Sequence, residues 1–292
     1  MNRLSALCVA AALGIAASAA SAAPVAITNG HVHAGISDYG TLGSNGNNPP
    51  GILFDATGSG NFGINDFLTP GSPFEGFYIS SNSGFWGANN RGDTSFETAA
   101  PVLLSGTSAS WTSTSFDGLL RVSHLYTLST ISGRSVISIN TQITNLGDSS
   151  LDGLKVLRTL DPDPDVNAHD SFFTANTLVS ATQACGTGPF TGETICIFGN
   201  TPGLETRAGI SVNWSTDPDT FLQGVNDGDG DNTIGVAFAA GSLAAGQTLT
   251  LNYGYALGAS LPVAAVPEPE TWALLLAGLA AVGRVARSRR QA

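Results

Sequence analysis

The sequence predicts an all-β protein: an antiparallel β-sandwich body, with a cleaved signal helix before it and a single transmembrane-like helix after it. Three observations predict the body. Apolar and polar residues alternate with period two in several segments, and Gly, Asn and Asp turn signals stand between them. No 12-residue stretch of the body carries a capped pattern of period 3.6, so no helix is expected there. Strands of this kind bury one face each, and two facing sheets satisfy them all.

The elements follow in chain order. Met1-Asn2-Arg3 is a short basic start, Leu4 to Ala17 an apolar run, and Ala20-Ser21-Ala22 a small-residue cleavage site. Together these make residues 1–22 a secretory signal peptide. The body, residues 23–262, opens with loop chemistry: from Gly40 to Asn90, runs such as Gly43-Ser44-Asn45-Gly46-Asn47-Asn48-Pro49-Pro50 predict irregular β structure packed on the sandwich. Regular strands are expected from Val122-His124-Tyr126-Leu128 onward. The clearest are Ile137-Ile139-Thr141-Ile143 and Leu249-Leu251-Tyr253-Tyr255-Leu257, each with polar residues between. Shorter alternations mark Ile210-Val212-Trp214 and Val236-Phe238, and Asn145-Leu146-Gly147-Asp148 and Ala245-Gly246 mark turns.

Between Ala23 and Ala265 six basic and twenty acidic residues give a net charge of −14. Such a body repels phosphate backbones, which excludes nucleic acid as a partner and favours divalent cations at clustered carboxylates. The body has two cysteines, Cys185 and Cys196, with turn-rich sequence between them. Outside the cytoplasm such a pair reads as one disulfide closing a surface loop.

Residues 263–292 form the tail. Pro267 and Pro269 remove two backbone donors and bias Val266 and Glu268 to extended geometry, so this strip is exposed and non-helical. Thr271 to Gly283 then runs thirteen residues with no charge, a helix of about 20 Å, short of a full bilayer span. Arg284, Arg287, Arg289 and Arg290 follow as a basic stop that holds this end in the cytoplasm. An amphipathic helix packed on the body is the other reading, but the apolar run has no polar face to show solvent.

This order of Pro-Glu-Pro strip, apolar helix and basic end resembles the PEP-CTERM sorting domain of Gram-negative surface proteins. The resemblance implies that Pro267, Glu268 and Pro269 are recognition residues for exosortase, a membrane processing enzyme. With the signal peptide it implies export by the Sec machinery, transient anchoring in the inner membrane, and delivery to the cell surface or extracellular matrix.

Within the body, three segments are candidate sites. Asp161, Asp163 and Asp165, spaced by Pro162 and Pro164, put oxygen ligands at every second position of an extended chain, as Ca2+ requires; the alternative is a solvated acidic strand end. Asp227, Asp229 and Asp231, spaced by glycines, match the opening of a calcium loop. The bidentate Glu expected at loop position twelve is replaced by Phe238, and a plain Asp/Gly turn is the alternative. Trp86, in Phe85-Trp86-Gly87-Ala88-Asn89-Asn90-Arg91, is a candidate contact for a sugar face, or else a plug over the core.

No nucleophile elbow, metalloprotease motif or phosphate loop occurs in the sequence. The expectation is a non-enzymatic, structural or adhesive body that binds extracellular polysaccharide with Ca2+ support. The alternative is a carbohydrate-active hydrolase or lyase, with Glu75 and Glu97 as its suspect carboxylates.

Overall fold

The computed structural model describes residues 25–45, 48–64, 66–69, 74–131 and 134–259. The signal peptide expected at residues 1–22, the strip Pro267-Glu268-Pro269, the apolar run and the four arginines lie outside the described residues. Among the described residues no helix is long and apolar enough to cross a membrane.

The chain is mostly antiparallel β. Val25–Thr28 (β1), Val32–Ile36 (β2) and Ile52–Phe54 (β3) form a small sheet, and Glu75–Ser81 (β4) and Gly84–Asn89 (β5) form a hairpin. A meander follows: Val102–Ser105 (β6), Ser108–Thr114 (β7), Leu120–Ile131 (β8) and Arg134–Asn145 (β9). Leu151–Leu160 (β10) leads into a short helix, Val166–His169 (α1). Then come Ala175–Ser180 (β11), Gln183–Thr187 (β12), Glu193–Gly199 (β13) and Glu205–Ser211 (β14). Pro218–Leu222 (α2), Thr233–Leu243 (β15) and Thr248–Ala259 (β16) complete the order. Strands β14-β15-β10-β4-β5 make a five-stranded sheet and β11-β12-β13-β16-β9-β8-β7-β6 an eight-stranded one.

One large apolar cluster draws on both sheets: Phe77, Val156 and Phe238 from the five-stranded sheet pack with Val122, Ile139, Ile143 and Leu251 from the eight-stranded one. Strand β9 shows the alternation expected of it, with Ile137, Ile139, Thr141 and Ile143 buried. Strand β15 is buried on both faces over its first six residues, as suits a strand inside the five-stranded sheet.

Inside this core sits an ion pair. Arg158 on β10 donates to Glu75 on β4 through Nε and, at 2.8 Å, through Nη2; their side chains are 1% and 0% exposed. Tyr255 of β16 crosses from the other sheet to donate to Glu75 Oε1 at 2.7 Å, and the Leu42 amide donates to Oε2 at 2.7 Å. Burial raises the Glu75 carboxyl, and the Arg158 charge and these donors offset only part of that rise. The group bolts both sheets and the Gly40–Leu42 loop together.

Three expectations are corrected. Residues 40–90 are not irregular throughout, since β4 and β5 belong to the five-stranded sheet. Their aromatics gave no clean alternation because β4 is buried on both faces over Glu75–Ile79. Val212 and Trp214 lie past the end of β14, whose strand stops at Ser211. The body also has two short helices, α1 and α2, of four and five residues, too short for any periodic signal.

Candidate metal centre

Strands β10 and β15 run antiparallel with Leu160 opposite Ile234. Just past that pair the chain leaves β10 through Asp161 and Asp163 and enters β15 from Asp231. The two acidic segments, far apart in sequence, therefore converge at one end of the five-stranded sheet. Carboxylate oxygens of Asp161, Asp163 and Asp231 lie within 4.8 Å of one another.

The backbone fixes these residues firmly. The Asp161 amide donates to Phe74 O at 2.9 Å and the Asp163 amide to Phe67 O at 2.9 Å. On the other side Gly230 exchanges two backbone hydrogen bonds with Thr174, at 3.0 and 3.1 Å. Gly228 and Gly230 hold positive φ, 78° and 145°, which a side chain at either position would strain. Trp214 donates its indole N–H to the Asp231 carbonyl at 3.1 Å and itself holds φ at 50°, an unusual conformation for a bulky residue.

Asp161 and Asp163 are 2% and 1% exposed, while Asp231 is exposed. Neither oxygen of Asp161, nor Oδ1 of Asp163, has a hydrogen-bond partner, and Asn232 Oδ1 is a further buried acceptor without one. Buried polar atoms are almost always paired, and an uncompensated buried charge costs several kcal/mol. Burial first, then the neighbouring carboxylates Asp163 and Asp231, push Asp161 up to about 9. Burial and Asp231 push Asp163 to about 8, and burial raises Asp231. The site thus gathers buried oxygen acceptors, of which both oxygens of Asp161 and Oδ1 of Asp163 have no donor among the described residues.

The remaining acidic candidates fall elsewhere, and each has a partner. Asp165 accepts from the Phe190 and Thr191 amides at 2.9 and 3.1 Å and from the Thr191 hydroxyl, closing the loop between β12 and β13. Asp227 accepts from the Val212 amide at 2.9 Å and Asp229 from the Asn176 amide at 2.8 Å. These three fasten local structure: backbone amides occupy both oxygens of Asp165 and one oxygen each of Asp227 and Asp229. Trp86 is 3% exposed and donates to Asp117 at 2.7 Å, so it is a core plug and presents no face to a sugar. Cys185 and Cys196 are disulfide-bonded; they sit opposite each other in the β12–β13 ladder and are buried, so the bridge ties paired strands under the loop.

At the C-terminal end, the profile of the PEP-CTERM protein-sorting motif matches residues 265–290. The chain carries a PEP-CTERM sorting motif. That motif implies export, a membrane-anchored sorting signal and processing by exosortase, a membrane enzyme. No curated protein sequence matches the chain.

Among solved structures, a bacterial glucoamylase complexed with acarbose is similar at a TM-score of 0.48 and 10% identity, over 82% of this chain and 33% of that one. A polysaccharide lyase is similar at a TM-score of 0.35 and 12% identity, over 79% of this chain and 33% of the lyase. A galactose mutarotase related enzyme from Lactobacillus acidophilus gives 0.37 and 9%, over 83% and 100%. The PEP-CTERM chain spans about a third of the length of the glucoamylase and the lyase. Likeness at this level assigns no activity.

Proposed function

We propose that this PEP-CTERM protein is a surface or extracellular-matrix component, delivered by its tail, whose β body does structural or adhesive work on extracellular polysaccharide without catalysing a reaction. In this reading residues 1–22 are removed on export and the body works outside the cell. The observation that carries it is the sorting motif at 265–290, set behind an acidic, disulfide-bonded β body. The non-enzymatic half is supported by the state of Glu75, one of the two suspect carboxylates. It is fully buried and occupied by Arg158, Tyr255 and the Leu42 amide, and so is out of reach of a glycosidic bond.

The route is tested by surface biotinylation of intact cells producing the chain or its E268A/P269A variant. The variant should accumulate in the cell and lose most surface label. Equal labelling of both proteins would reduce the Pro-Glu-Pro strip to a linker. A glycan array probed with the full chain, with calcium and with EDTA, tests the body. Binding to acidic or neutral polysaccharide is expected, and an array blank in both conditions would remove the adhesive half.

A further inference from the structure

The geometry points to a divalent-cation site, fitted to Ca2+, made jointly by Asp161 and Asp163 after β10 and Asp231 before β15. It goes beyond the sorting reading and stands or falls apart from it. The cluster of carboxylates is not the whole case. Asp161 is a buried side chain with both oxygens unpartnered, and Asp163 adds a third such oxygen, so the fold has placed strong acceptors where no protein group answers them. A cation shared among the three oxygens resolves both the missing partners and the like-charge crowding.

The chemistry of the donors selects the ion. All are oxygens, three from carboxylates that bind through one atom or two, with Asn232 Oδ1 a further unpartnered acceptor one residue on. Neither His nor Cys belongs to the cluster, which disfavours zinc and the softer metals. Ca2+ takes six to eight oxygens in flexible geometry, whereas Mg2+ demands a near-ideal octahedron and keeps its water. Exposed Asp231 leaves one side open for the ion to enter and for water to complete its shell. The Trp214 indole, bonded to the Asp231 carbonyl, holds that open side in place. The bound ion ties the exit of β10 to the approach to β15, two neighbouring strands of the five-stranded sheet.

Trp214 also supplies the readout. Full chain freed of metal with EDTA and then desalted is titrated with Tb3+ and excited through tryptophan. One equivalent should give sensitised emission that Ca2+ competes away. The W214F variant should lose most of that emission yet keep a Ca2+-induced rise in melting temperature. That rise should be about 5–10 °C at a concentration about a hundredfold above Kd. The D161N/D163N variant should lose about tenfold or more in Tb3+ affinity, since site charge sets affinity. It should also fold without metal, because neutral amides carry no mutual repulsion. Absence of both emission and melting shift in the wild-type chain would overturn the site and leave a protonated carboxyl pair in its place. Unchanged affinity in D161N/D163N would overturn it equally. If that variant does not fold, the Ca2+ shift in W214F decides: present, it supports the site; absent, it sinks it.

Discussion

Replacing Glu75 with Gln removes one charge from the core and nothing from its volume. Arg158, 1% exposed, is then left with a guanidinium that has no carboxylate partner, its Nη1 donating to the Gly40 carbonyl at 3.4 Å. The Tyr255 hydroxyl and the Leu42 amide also lose a charged acceptor. Breaking a buried pair from one side costs about 3–5 kcal/mol. For a body of this length each kcal/mol moves the melting temperature by roughly 2–4 °C, so E75Q should melt about 6–20 °C lower. The double variant E75L/R158M removes both charges and should recover most of the loss, because hydrophobic replacement of a whole buried pair is often neutral or better. The assay is thermal unfolding of the three proteins followed by far-UV circular dichroism at one pH and a fixed calcium concentration. A single variant within about 2 °C of wild type would refute the argument, since that is under 1 kcal/mol. So would a double variant as unstable as the single one.

Three further outcomes are expected. Removing the Cys185–Cys196 bridge by C185A/C196A should cost about 3 kcal/mol, the loop-closure value for a short loop, read as a lower urea midpoint. W86A should lose about 3–5 kcal/mol by leaving a cavity, with any polysaccharide affinity unchanged; a selective loss of affinity would return Trp86 to the role of sugar contact. In EDTA, melting temperature should fall as pH rises from about 4 to about 8. The raised carboxyls of Asp161 and Asp163 keep protons in the folded state that the unfolded chain, ionising near 3.8, has released, so the fold binds more protons across that window and loses stability with rising pH. Saturating Ca2+ should flatten or reverse this slope, and a slope identical in calcium and EDTA would count against the carboxylates as ligands.

Three adjacent strands of the eight-stranded sheet, β16, β9 and β8, were legible in the sequence. Strands β8 and β9, and β16 from Thr248 to Tyr253, show a core face to one side and a wetter face to the other, and period-two alternation records that difference directly. The five-stranded sheet was harder. Strand β4 is buried on both faces over Glu75–Ile79, so Phe77-Tyr78-Ile79 carries little alternation, and β15, buried on both faces over its first six residues, showed only the short Val236-Phe238 signal. Glu75 and Arg158 were obscure for a related reason: a charge inside an apolar strand looks like a solvent-facing residue until its partner across the sheet is known.

Both acidic segments could be read as cation ligands, but their grouping could not. Spacing within each loop proposed two separate sites, Asp161-Asp163-Asp165 and Asp227-Asp229-Asp231. The fold takes two residues from the first and one from the second. The missing information was strand pairing: with Leu160 opposite Ile234, the segments leaving β10 and entering β15 bring Asp161 and Asp163 to Asp231. Asp165, Asp227 and Asp229 are carboxylates like the chosen three, but each has a backbone amide against it, and Asp227 and Asp229 are exposed where Asp161 and Asp163 are buried. Trp214 gave no signal of its role, because its contact to the Asp231 carbonyl spans a helix and a loop.

The account turns on two distant loops closing around one ion. Crystals of the full chain grown with Mn2+ or Tb3+, measured for anomalous scattering, test this most directly. A single strong peak is predicted at about 2.1–2.6 Å from carboxylate oxygens of Asp161, Asp163 and Asp231 together. A peak beside Asp165 or between Asp227 and Asp229, or no peak on this body at all, would contradict it.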